Sequence, residues 1–183
     1  MNPTTSGAAG AALPEDRVAA NLLAHFGPPP DLAIVLGSGA GTVLEAIAPN
    51  AKGVPYAELG LPPTSVSGHG GTVTVGNLGK TRVVVLAGRA HVYEHDDLEP
   101  VVRGARSIAR WGVPKLVLTS AVGSCHARLM PGSLVCLRDH INMSGRNPLV
   151  GPHVPRRGAR FPDMTDAYDL ELRAQLHSSA LAA

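Results

Sequence analysis

Aromatic side chains are scarce: two Phe, three Tyr and one Trp make up 3% of 183 residues. Ala, Val and Leu must therefore fill the interior. Cysteine is nearly absent, and Cys125 and Cys136 alone give no disulfide framework. Neither sign of charge dominates. Sixteen basic against 14 acidic residues leave a net +2, too balanced for a nucleic-acid footprint despite a pI of 8.7. No apolar run approaches the roughly 20 residues that span a bilayer. Residues 1–10 lack the basic start and apolar stretch of a secretory leader. These absences predict a soluble, cytoplasmic chain with no nucleic-acid or membrane partner.

What is present points to one α/β domain. Hydrophobic residues at 44% against 16% charged exclude a disordered chain, and the length suits a single core. Glycine and proline, 21 and 16 residues, imply many turns between short elements rather than a helix bundle. Residues 1–10 read as a disordered lead-in and 11–183 as the domain. Pro14 to Phe26 is a helix: proline suits its first turn, Glu15 and Asp16 complement the dipole, and Gly27-Pro28-Pro29-Pro30 stops it. Leu32 to Leu36 is a strand apolar on both faces. It breaks at Gly37-Ser38-Gly39-Ala40-Gly41 and resumes as a helix over Thr42–Ala48, the opening of an α/β sheet. Thr72–Leu78 and Arg82–Ala87 form a hairpin around Gly79-Lys80. Asp96 or Asp97 caps a helix to Trp111 with Val101, Ala105, Ile108 and Ala109 on its apolar face, ended by Gly112. Lys115–Thr119 and Leu134–Leu137 are further buried-type strands. A long loop covers 142–163, and a last helix starts near Thr165 or Asp166.

The chemistry-bearing residues collect at strand ends. Gly37-Ser38-Gly39-Ala40-Gly41 offers backbone N–H groups and a hydroxyl to an anion. Thr42 stands where the dinucleotide pattern needs glycine and no P-loop lysine follows, so the loop suits a small phosphate, or is simply a tight turn. Gly88-Arg89-Ala90-His91-Val92-Tyr93-Glu94-His95 follows directly on a strand. His91-x-x-Glu94-His95 matches a zinc-protease pattern, but that chemistry needs both histidines one turn apart on a helix, and the next helix starts only at Asp96 or Asp97. The better reading has Arg89 as a bidentate anion clamp and His91 as a second donor, with Tyr93 and Glu94 as ligand contacts or supports. Gly68-His69-Gly70-Gly71 sets a histidine among glycines that admit close backbone approach; it is either a ligand or a structural turn. Ser120-Ala121-Val122-Gly123-Ser124 is a second small-residue loop, able to bind an anion or sugar or simply to turn. No Gly-x-Ser-x-Gly elbow is present, which argues against an α/β-hydrolase. Arg156, Arg157 and Arg160 read as a solvated or subunit-contact surface.

Taken in order, these motifs resemble the trimeric purine nucleoside phosphorylases. The matching pieces are Gly37-Ser38-Gly39, Gly68-His69-x-Gly71, Gly88-Arg89-x-His91-x-Tyr93-Glu94 and the loop at Ser120–Ser124. They continue as Arg138-Asp139-His140-Ile141-Asn142, Asn147-Pro148-Leu149 with Gly151-Pro152, and Arg160-Phe161-Pro162 leading to Asp166-Ala167-Tyr168. The resemblance implies a mixed central β-sheet flanked by helices, and phosphorolysis of a purine nucleoside to free base and ribose 1-phosphate. It implies that Ser38, His69, Arg89, His91 and the amide of Ala121 hold phosphate. Tyr93 would then contact ribose, Glu94 would support the phosphate loop, and Phe161 would cover a neighbouring subunit's site in a homotrimer. Inorganic phosphate is a co-substrate, and no metal or organic cofactor is implied.

Three departures qualify the expectation. The family usually has Asn-Ala-Ala-Gly-Gly where Ser120-Ala121-Val122-Gly123-Ser124 stands, a form closer to methylthioadenosine and methylthioinosine phosphorylases. His95 replaces the usual glycine. The family's later part, which supplies the base-recognising glutamate and asparagine, another phosphate serine and further strands, has no counterpart after the helix following Tyr168. The fold is thus expected to be incomplete at its C-terminus, with base-binding residues unassigned. Three alternatives stay beside the phosphorylase: a non-catalytic remnant that binds phosphate or assembles with a complete subunit, a methylthioadenosine- or methylthioinosine-phosphorylase-like substrate range, and a zinc hydrolase built on His91, Glu94 and His95.

Overall fold

A computed structural model of the protein describes residues 12–49, 51–64 and 70–182. The expected lead-in and His69 lie outside these residues. The chain divides into two compact units, Met1–Ala121 and Val122–Ala183.

The first unit is a mixed sheet with helices on both faces. Its elements are α1 (Pro14–Phe26), β1 (Leu32–Leu36), α2 (Gly41–Ile47), β2 (Val54–Pro55), α3 (Tyr56–Leu59), β3 (Thr72–Leu78), β4 (Thr81–Ala87), α4 (Glu99–Trp111) and β5 (Leu116–Leu118). The strand order is β2-β3-β4-β1-β5. β3 and β4 pair antiparallel through the expected hairpin, Leu78 opposite Thr81. β1 runs parallel to β4 on one side and to β5 on the other.

Alternation along the central strands builds two cores. Ala33, Val35, Val84 and Leu86 face α1 and α4, packing with Val18, Leu22, Leu59, Ile108 and Trp111. Leu36, Val83 and Val85 face the other way with Ile47 of α2. A strand apolar at every position is therefore what two covered faces require. α1 and α4 are tied further by Arg110 Nε on Asp16 Oδ1 at 2.5 Å and by the Trp111 indole N–H donating to the Gly27 carbonyl. Against β3, α2 approaches so closely that a Cβ on Gly76 would lie 2.3 Å from the Ile47 carbonyl oxygen.

Several expectations need correction. β2 and α3 were not foreseen; Val54-Pro55 is an edge segment too short to show a period. α4 starts at Glu99 with Leu98 as N-cap, although Asp97 Oδ1 does accept the Glu99 N–H. Its buried face is Ser107, Ile108 and Trp111, and Ala109 is exposed. β5 is only half-buried because it is the edge strand on its side of the sheet.

In the second unit no described residue is buried. Leu134–Leu137 is not a strand, and Leu134 is 94% exposed. Four apolar residues without a paired neighbour have no ladder to join. A single 3₁₀ turn, Pro155–Arg157, interrupts the long loop. Arg160 donates from Nη1 to the Leu149 and Gly151 carbonyls at 2.8 Å, so it closes that loop on itself rather than extending into solvent. The last helix, α5, spans Leu170–Ala182, later than expected, with Asp169 Oδ1 accepting the Leu172 N–H at its start. Both cysteines are free and exposed.

Candidate active site

The carboxyl ends of β1, β4 and β5 lie side by side because the three strands are parallel neighbours. Each runs directly into one of the segments read from the sequence: Gly37–Gly41 after β1, Gly88–His95 after β4, and Thr119–Ala121 after β5. Ligand sites in open α/β sheets form outside such strand ends.

The glycine loop turns tightly, with the Ala40 N–H reaching the Gly37 carbonyl and Gly39 at φ +85°. Gly37 is required by proximity: a Cβ there would sit 2.6 Å from the Thr119 carbonyl oxygen and 2.9 Å from Ser120 Cα. Ser38 is exposed at the tip of the turn.

Arg89 is half-buried and donates from Nη1 to the Thr119 carbonyl at 2.6 Å. Among the described residues no carboxylate pairs with it. A main-chain carbonyl thus orients the guanidinium without neutralising it, leaving its charge available to an anion. The preceding Gly88 carbonyl accepts a 2.7 Å hydrogen bond from the buried Tyr56 hydroxyl. Burial pushes the Tyr56 phenol above its ordinary range.

Val92–Glu94 is a 3₁₀ turn flanked by extended His91 and His95, not an α-helix. The two histidines are therefore not displayed one α-turn apart as the zinc-protease pattern demands. Instead His91 Nδ1 meets Glu94 Oε1 at 2.7 Å, and His95 Nε2 lies 3.8 Å from Glu94 Oε2. A carboxylate on Nδ1 fixes the ring's orientation. Tyr93 stacks on His91 with centroids 5.1 Å apart and is 78% exposed.

Ala121 is exposed just beyond β5. Within the second unit Phe161 is 86% exposed, with the Arg160 guanidinium carbon 6.0 Å from its ring centre. Of the sequence-derived residues, the fold brings the Ser38 loop, Arg89 and the Ala121 segment to adjoining strand ends. Glu94 is brought onto His91. Sequence reasoning missed Thr119 and Tyr56. Thr119 closes an apolar strand and Tyr56 follows a proline, so neither position carries a local signal.

Comparison with known proteins decides the family. The model of the phosphorylase superfamily matches residues 31–183. The chain belongs to the phosphorylase superfamily. Among its relatives, this superfamily member is 37% identical over 159 residues to purine nucleoside phosphorylase 1 of Geobacillus stearothermophilus, covering 86% of this chain and 58% of the relative. It is 41% identical over 144 residues to the purine nucleoside phosphorylase of Mycobacterium tuberculosis, covering 78% and 51%. Isoform 2 of the Schistosoma mansoni purine nucleoside phosphorylase, solved with cytosine and ribose-1-phosphate, superposes with a TM-score of 0.82 at 32% identity. That match covers 92% of this chain and 60% of the solved one. The superfamily member thus spans a little over half the length of the proteins it matches.

Proposed function

We propose that this chain forms the phosphate- and ribose-binding part of a purine nucleoside phosphorylase site, converting a purine nucleoside and inorganic phosphate to free base and ribose 1-phosphate. The observation that carries the reading is the meeting of the Gly37–Gly39 loop, Arg89 and the Ser120–Ala121 segment around Thr119. Three small-residue or cationic segments converging at parallel strand ends suit a small oxyanion. The names of the relatives supply the nucleoside.

In this reading Ser38, His69, Arg89, His91 and the Ala121 amide hold phosphate, and Glu94 orients His91. Tyr93 lies against the ribose. A phosphate oxygen forms a bond to C1′ while the bond from C1′ to the base breaks. Its electron pair leaves with the base, which takes up a proton. Catalysis rests on holding the anionic nucleophile beneath a carbon that gains positive charge, and phosphate is the only co-substrate required. The exposed Phe161 suits a homotrimer in which it covers a neighbour's site. Among the described residues no helix is long and apolar enough to cross a membrane, and we assign the protein to the cytoplasm.

A second reading is phosphate binding without turnover. A coupled assay of hypoxanthine release from inosine, with and without phosphate, separates the two. Phosphate-dependent release is expected, falling by about 10²-fold in Arg89→Ala, as for loss of one preorganised donor. Phosphate binding without release favours the second reading, and neither activity overturns both.

A further inference from the structure

Thr119 uses every polar atom it has on two of the proposed phosphate-gripping segments and on β1. Its N–H donates to the Val35 carbonyl at 3.0 Å, carrying the β1–β5 ladder one residue past β5. Its Oγ1 accepts the Gly37 N–H at 2.8 Å and lies 3.3 Å from the Val35 carbonyl, to which the hydroxyl donates. Its own carbonyl receives Arg89 Nη1 at 2.6 Å. The missing Cβ of Gly37 lets Thr119 and Ser120 pass against the glycine loop at all.

The hydroxyl is satisfied internally in both directions, so it does not reach for a ligand. β-Branching leaves the side chain stiff about χ1, which holds Oγ1 in place. One residue therefore sets the spacing between a backbone loop and a guanidinium that belong to different strands.

We infer that Thr119 is a positioning residue for the anion site: its hydroxyl anchors the Gly37–Gly39 loop while its carbonyl aims Arg89, so that both grip the same phosphate. The inference rests on the phosphate reading given above.

Thr119→Val keeps the branched shape and deletes the oxygen, leaving the Gly37 N–H without its acceptor. Titration of inorganic phosphate by calorimetry is expected to show about tenfold weaker binding in Thr119→Val, in line with one lost hydrogen bond that strands a donor. Thr119→Ser restores the oxygen and is expected to recover most of the affinity. In turnover, the phosphate KM rises while the nucleoside KM stays within about twofold, a split that general loosening of the fold does not produce. Wild-type phosphate affinity in Thr119→Val overturns the role of Thr119 alone. Equal losses in Val and Ser also overturn it, because the hydroxyl is then irrelevant. A wild-type chain that binds no phosphate overturns the site reading and the inference with it. If Thr119→Val does not fold, the wild-type chain decides by amide NMR. Phosphate is expected to shift Gly37 N–H and Arg89 Nε–H along one binding isotherm, and a shift at Arg89 without Gly37 overturns the coupling.

Discussion

The Tyr56 hydroxyl is buried under the residue that precedes Arg89, and two consequences follow at the scale of single residues. Tyr56→Phe leaves the Gly88 carbonyl without its donor. Unfolding by denaturant should show a loss of about 1–2 kcal/mol, the range for one stranded buried partner. The second consequence concerns pH. Burial raises the folded-state phenol above its unfolded value of about 10. Between those two values the folded state binds the extra proton, so stability is fully present below about pH 10 and declines as pH rises above it. Denaturation midpoints at about pH 9 and 11 should therefore differ more for the wild type than for Tyr56→Phe, which lacks the titrating group.

At the scale of elements, contacts between backbones matter more than side-chain identity. Gly76 lies in β3 where α2 crosses it, and its absent Cβ would meet a carbonyl oxygen rather than a yielding side chain. Gly76→Ala must push α2 outward, and thermal melts should report a loss of about 1–3 kcal/mol, typical of overpacking. Elements with their own punctuation were legible in the sequence. α1 carries its start at Pro14 and its stop at Gly27, and the β3–β4 hairpin carries Gly79-Lys80 between two apolar runs. β1 was legible because two covered faces leave no polar position in five residues. Leu134–Leu137 has the same local look and is no strand, since an apolar tetrapeptide does not say whether a partner exists. The site divides the same way. The Gly37–Gly39 loop, Arg89 and the His91–Glu94 pair announce themselves by residue type just beyond strands. Thr119 and Tyr56 act on partners 82 and 32 residues away, and nothing in their immediate neighbours encodes that.

For the whole molecule, the contrast between the two units is one of burial. Met1–Ala121 holds both apolar cores, whereas no described residue beyond Ala121 is buried. Few buried contacts mean a low free energy of local opening. Brief trypsin treatment should therefore cut first at Arg128, Arg138, Arg146, Arg156 or Arg157, trimming the chain to a protected fragment that ends at Arg128. Mass spectrometry of the early products checks this, and early cuts at Arg82 or Arg103 contradict it.

The order of strands in the sheet also differs from their order in the chain. β1 lies between β4 and β5, its Leu32 paired with Val83 and its Ala33 with Leu116. During synthesis at about 5–20 residues per second, the most apolar strand leaves the ribosome several seconds before either of its neighbours exists. The β3–β4 hairpin, paired through neighbouring residues, is expected to close in the meantime and so give β1 an edge to dock on. Contacts of such long sequence separation fold slowly. β1, made first among the strands and paired only with strands made much later, is where a nascent chain is expected to be most exposed to wrong partners.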